Sequence, residues 1–183
     1  MKVSREQVSE HRAQILAAAA RLFRLRGFDE VTVADVMKDA GLTHGAFYGH
    51  FSSKEALIAE AVGQALAPAA GDAKTPKSVA AYADGYLSRR HRDDRGSSCP
   101  FSCLGTEAAR GSADLRRAMT ESVRRQIDRF SAEAKARTAH EKRRAAIAAW
   151  SAMVGAMVLA RVVDDDKLSQ EVLAETRASL PLA

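Results

Sequence analysis

The sequence predicts an all-α protein, with an N-terminal three-helix helix-turn-helix domain followed by a C-terminal helical bundle. Three observations carry that prediction. The 183 residues are 46% hydrophobic but only 5% aromatic, rich in Ala, Arg, Glu, Leu and Val, which favours helix over strand. Pro (4) and Gly (11) are too sparse to break the chain into many short strands. Apolar residues recur at three- and four-residue spacing in several segments, as on one face of a helix.

The first helix starts at Ser4, with Gln7 three residues on as a capping box. Val8, Ile15, Ala19, Leu22 and Phe23 mark its inner face, and Gly27 stops it with Phe28 folding back. A second helix opens at Thr32 with Asp35 at its third position, carries Val33, Val36, Met37 and Ala40 inward, and ends at Gly41. Leu42 plugs a tight turn, and Thr43 caps a third helix, His44 to His50. Ser52 or Ser53 caps the next, Lys54–Ala67, with Glu55 completing a box from Ser52 and Pro68 and Gly71 as stops. Further helices are expected over Lys77–Arg90, Pro100–Arg110, Ala113–Ala136 and Thr138–Val163. A last one carries Leu168, Val172, Leu173, Thr176 and Leu180, and Asp93 to Ser98 reads as a polar loop. The domain boundary is expected at 53/54, giving domains 1–53 and 54–183.

Composition sets several classes aside. Two cysteines build no disulfide framework, and the first six residues turn charged where a secretion signal turns apolar. Ala145 to Ala160 is bracketed by Arg144 and Arg161 and falls short of the ~20 apolar residues a bilayer span needs, so it reads as a buried helix. A cytoplasmic protein without membrane attachment is the expectation. Gly-rich phosphate loops, ligand clusters of metal-site spacing and nucleophile–base pairs are not evident, so neither an enzyme nor a cofactor is expected. The formal net charge is +5, but residues 1–60 balance eight Lys/Arg with eight acids, while residues 110–144 hold eleven against five. Bulk charge therefore does not mark the N-terminal part for a polyanion; geometry must do so.

Two short helices joined by a Gly-containing three-residue turn, braced by a longer one, form the DNA-reading helix-turn-helix; an ordinary αα-corner has the same spacing. The third helix separates the two readings. Gly45 and Gly49 each cost about 1 kcal/mol in a helix relative to Ala, which close approach to a duplex would explain. The stretch from Val31 to Leu57, with Gly41-Leu42-Thr43-His44-Gly45-Ala46-Phe47-Tyr48-Gly49-His50-Phe51 at its centre, resembles the DNA-binding domain of TetR/AcrR-type transcriptional regulators. The likeness spans about residues 8–62, and Cys99-Pro100 resembles a mid-chain pair found in one branch of that family. By position, the resemblance implies phosphate contacts from Thr32, Tyr48, His50 and Lys54. It places Thr43, His44, Gly45 and Phe47 near base edges in the major groove. The chemistry suits those roles: hydroxyl and ammonium groups bind phosphate oxygens, an imidazole donates to a purine, and Phe47 packs on a thymine methyl. Tyr48 is divided between core packing and phosphate contact, and Phe51 reads as core. Lys2 and Arg5 read as a solvated terminus, with a minor-groove arm as the alternative.

One short reading helix supplies two or three base contacts of about 1–3 kcal/mol each, against about 4–10 kcal/mol for genomic specificity. A homodimer on an inverted-repeat duplex operator reaches that range. The helix from Thr138 to Val163, apolar most of the way round with Ala145, Ala148, Ala149, Ala152, Gly155 and Ala156 as small residues that let another helix approach, should pair with the last helix to form the self-association surface; a monomeric core is the alternative. The resemblance further implies an unknown small-molecule effector among the middle helices. The candidates for its contacts are Tyr82, Tyr86, Cys99, Phe101, Cys103, Phe130, Trp150, Met153 and Met157, with Leu104, Met119 and Ile127 as further lining; each taken alone reads as ordinary core. Cys99 at a helix N-cap, near Arg89, Arg90, Arg92 and Arg95, is a candidate sensing thiol with Cys103 as resolving partner; small buried hydrophobes are the plain reading. The sum is a homodimeric DNA-binding regulator, a repressor released by a small molecule or an electrophile or oxidant. A constitutive DNA-binding protein is the alternative.

Overall fold

The computed structural model describes residues 4–67 and 78–180. The described residues are helical, without strands. Lys2, Pro68, Gly71 and Lys77 lie outside them, so the expectations set on those residues are not addressed. The chain divides into two compact units: 1–67 with 103–119, and 68–102 with 120–183. The sequence boundary at 53/54 differs from this division, because the helix that begins at Lys54 packs on the first helix.

In the first unit, α1 (Arg5–Glu30) begins with the Ser4/Gln7 capping box and turns at Gly27, the one residue inside it with non-helical angles (φ 82°, ψ 174°). Ile15, Ala19 and Phe23 are buried as the periodicity requires; Val8 is exposed, because the first turns of α1 extend past the packed face. α2 (Val33–Asp39) starts on the reciprocal Thr32/Asp35 box and buries Val36 and Met37. Arg21 and Arg26 on α1 pair with Asp39 and Asp35 on α2. α3 (Lys54–Ala65) is capped by Ser53, whose hydroxyl accepts from the Ala56 amide at 3.1 Å, and it buries Leu57, Ala61 and Val62. Of the two serines weighed for that cap, Ser53 fills it.

The chain returns to this unit late. Leu104, Ala108 and Leu115 are buried, and Glu107 accepts the Phe28 amide at 2.6 Å just beyond the Gly27 turn. A Cβ at Gly27 would stand 2.8 Å from the same carboxylate. Glycine is needed here for two reasons: φ is positive, and the acceptor that satisfies the turn fills the side-chain space.

The second unit departs from expectation at the Lys77–Arg90 helix. It is two helices, α4 (Val79–Tyr86) and α5 (Arg89–Asp93), because Ser88 accepts from the His91 amide and donates to the Gly85 carbonyl, a capping geometry that starts a new helix. The expected polar loop contains a 3₁₀ turn, Arg95–Ser97, and ends in a buried Ser98. α6 (Pro100–Ala108) straddles the division between units, and α7 (Ala113–Glu133) follows it. α8 (Ala139–Val162) starts on a Thr138/Glu141 box and packs on α9 (Asp166–Ser179), which is capped by Asp165.

α8 is packed within the chain on one side only. Its most apolar 18-residue window has a mean hydropathy of 1.7, long and apolar enough by composition to cross a membrane, and only 39% of it is buried within the chain. Met153, Ala156 and Met157 face the core, while Ala148, Ser151, Ala152, Gly155, Leu159 and Val162 are exposed. Helices of this chain cover one side of α8 and leave a stripe at i, i+3, i+4, i+7 spacing open.

Gly27→Ala should cost about 1–3 kcal/mol in urea unfolding, from the positive φ and the approach to Glu107. In a Glu107→Ala background the cost should shrink to the φ term alone; an equal cost in both backgrounds would remove Glu107 from the account.

Candidate nucleic-acid interface and effector cluster

The segment expected as the third helix is a 3₁₀ helix, His44–Gly49. Its tighter winding is held from beneath by Phe47, which is 1% exposed and stacks on Phe51 with ring centroids 5.7 Å apart. That corrects the sequence assignment of Phe47 to base edges. An aromatic ring on a six-residue segment gains more by entering the core than by waiting in water for a methyl group. Phe51 is buried, as read.

The remaining residues divide by what their polar groups already do. Thr43 occupies the cap position without a capping hydrogen bond from its side chain and is exposed, as are His44 and Gly45. A Cβ at Gly45 would meet nothing within 4 Å, so the backbone there presents open space. Tyr48 is 70% exposed, its ring edge-on to Phe47 at 5.2 Å and 6.3 Å from that of His44. The core-packing alternative for Tyr48 therefore fails. Thr32 is exposed, but its hydroxyl donates to Asp35 Oδ2 at 2.7 Å and accepts from the Asp35 amide, so its proton is engaged in the cap. Lys54 is the first residue of α3, half-buried.

Sequence reading missed what fixes this surface. Arg12 on α1 donates to the His50 carbonyl and to Glu60 on α3, and its guanidinium lies 4.3 Å from the centre of the Phe51 ring. One planar cation thus ties the end of the 3₁₀ segment to both flanking helices. His50 lies beside it, half-buried, its pKa lowered by burial and by the neighbouring His11 and Arg12 charges. Partners 38 and 48 residues away leave no local mark in the sequence.

In the second unit, Tyr86, Phe130, Trp150, Met153 and Met157 belong to one buried cluster, with Tyr82, Cys99 and Phe101 half-buried against it. Trp150 is its hub, with ring centroids of Tyr86, Phe101, Phe130 and Tyr82 at 5.4 to 6.1 Å. Ile127 is buried there too, whereas Cys103, Leu104 and Met119 fall in the first unit. Neither Cys99 nor Cys103 is in a disulfide, and each is half-buried. Beside Cys99 stands His91. Its Nδ1 donates to the Tyr86 carbonyl at 2.7 Å, so its Nε2 accepts from the Cys99 amide at 3.1 Å and from the Ser98 hydroxyl at 2.8 Å. Burial lowers the His91 pKa, in keeping with a neutral ring. Arg89 and Arg92, expected to bias the thiol, pair with Asp93 and Asp166. Among the described residues, no group of three or more His, Cys, Asp or Glu could hold a metal ion.

Comparison with known proteins bears on both units. Residues 15–61 match the family of bacterial regulatory proteins, tetR family. The chain is 46% identical over 55 residues to the HTH-type transcriptional regulator TtgR of Pseudomonas putida, and 41% over 54 to the HTH-type transcriptional repressor KstR2 of Mycobacterium tuberculosis. These matches take in 30% of this chain and only 26% and 27% of those proteins. Over the whole fold it is similar to a TetR-family transcriptional regulator from Agrobacterium tumefaciens, with a TM-score of 0.72, 20% identity, and 95% and 99% of the two chains covered. The reduced form of E. coli NemR superposes with a TM-score of 0.65 at 21% identity, covering 94% and 98%.

Arg12→Ala should lower stability by about 1–2 kcal/mol in thermal melts, and Arg12→Lys should not restore it, since an ammonium cannot serve both acceptors from over the ring. Asp35 has its carboxyl pKa lowered chiefly by the Thr32 hydroxyl, then by the Thr32 amide and Arg26. A lowered folded pKa contributes stability above the unfolded value, lost as pH falls through it. The wild type should therefore lose more stability than Asp35→Asn between about pH 5 and pH 3, read by acid denaturation.

Proposed function

We propose that this chain, which belongs to the TetR/AcrR family, is a sequence-specific DNA-binding transcriptional regulator of the repressor type, working as a homodimer and released from an inverted-repeat operator by a small-molecule effector. The observation that carries the reading is the exposed 3₁₀ segment: Thr43, His44, Gly45 and Tyr48 stand clear of the surface over a buried Phe47. In this reading Thr43 and His44 meet base edges, Gly45 lets the backbone approach, and Tyr48, His50 and Lys54 hold phosphates. Thr32 acts through the α2 cap and contacts phosphate only with its backbone neighbourhood.

The dimer reading rests on α8. Leu159 and Val162, 56% and 74% exposed, continue a stripe of Ala148, Ser151, Ala152 and Gly155 that suits close approach of a second helix, and Leu168 on α9 is exposed as well. A second copy of the stripe is its natural cover, and two reading segments bring the base contacts into the range that specificity requires. The effector reading rests on the aromatic cluster around Trp150, with Cys99 at its edge.

Selection of bound duplexes from a random pool would define the operator. Against it, His44→Ala should cut discrimination at the affected base pair by about 1–3 kcal/mol, whereas Lys54→Ala should weaken all duplexes alike and reduce the salt slope by about one. Leu159→Glu with Val162→Glu should give single chains in sedimentation and lose the operator while keeping helical content. A double variant that still sediments as a pair would place the dimer surface elsewhere.

A further inference from the structure

α8 has opposite charges at the two ends of its open stripe. Arg144 stands at the start, exposed and in line with Ala148, Ser151, Gly155, Leu159 and Val162 at spacings of three and four residues. Asp164 stands just past the other end, beyond the Val163 cap, and is exposed as well. Among the described residues neither side chain has an ion-pair partner. The charges nearest them are engaged elsewhere. Glu141, a turn before Arg144, accepts from the Arg137 and Thr138 amides at the head of α8. Arg92, Arg95 and Arg161, which line a groove with Asp164, each have partners of their own. Ser151, Ala152 and Gly155 lie midway between the two charges, about ten residues and about 15 Å of helix from each.

We propose that a second copy lies antiparallel along this stripe, so that Arg144 of each protomer meets the partner's Asp164 and the two contacts clamp both ends of the pair. The inference rests on the dimer reading above and adds the orientation of the copies and the residues that select it. In a two-fold pair every contact between unlike positions is made twice, so one attraction becomes two. A crossing at the small residues lets the helix axes approach to about 8 Å, and a shallow angle of about 20° keeps the ends within reach of an arginine side chain. A parallel copy would set Arg144 against its own equivalent, and Asp164 likewise, with like charges at both ends. The same two residues therefore favour one orientation and oppose the other, and an apolar helix of another chain without matching ends is disfavoured too.

The test is a charge swap, read by sedimentation equilibrium of the full chain at low salt, with circular dichroism following helical content. An exposed pair contributes little alone, but reversing one charge turns two attractions into two repulsions. Arg144→Glu and Asp164→Lys should each raise the dimer dissociation constant about tenfold, and added salt should narrow the gap from the wild type. Arg144→Gln and Asp164→Asn, which remove charge without reversing it, should give smaller losses. The double variant Arg144→Glu with Asp164→Lys should regain the wild-type constant. Mixing the two reversed single variants should give heterodimers in preference to either homodimer, because both ends are then matched. Reversed variants that pair as tightly as the wild type, a double variant no tighter than the singles, or a mixture without heterodimer preference would each overturn the inference and leave the dimer reading standing. A wild-type chain that sediments alone would overturn both.

Discussion

A six-residue 3₁₀ segment has no means of holding its own shape in water. It closes few hydrogen bonds for the dihedral freedom it gives up, and two of its residues are glycines. What fixes it is the burial of Phe47 on Phe51, with Arg12 reaching from α1 to close the far end. The rest of the surface follows from that anchor. With Phe47 inward, His44 and Tyr48 have to face out, and the Gly45 backbone lies open between them. The shape of the segment thus comes from one ring and one guanidinium, and the polar groups of its exposed side chains take no part in holding it.

Local chemistry made much of this legible from the sequence. The starts at Ser4 and Thr32 were readable because a capping box is written in residues three apart, and Gly27 and Gly41 announced turns that both have positive φ. The boundary between 3₁₀ and α winding was not readable, and neither was the inward side of His44–Gly49, because fewer than two full turns carry no usable period. Residues that act at long range were silent as well: Arg12 finds its partners in later helices, and His91 its role only once Tyr86 and Cys99 are packed beside it. The break between α4 and α5 had a visible cause in Ser88, but a serine inside a helical stretch more often faces solvent than starts a new helix.

In the second unit, composition and packing divide the same helix. Ala, Met and Val run most of the way round α8, and packing within the chain uses only one face. The same apolar content therefore has two destinations: a core built around Trp150, and an open stripe for which the chain itself supplies no cover.

The first unit is assembled from pieces that are far apart in the chain, since residues 103–119 complete what 1–67 begin. Glu107, Leu104 and Leu115 reach the ribosome's exit well after α1 to α3 have emerged. During synthesis the three early helices wait with the Phe28 amide uncapped, and the first unit is finished only after more than half the polypeptide has been made. A fragment cut after α3 would inherit Thr43, His44, Gly45 and Tyr48 but not the carboxylate that closes the turn at Gly27.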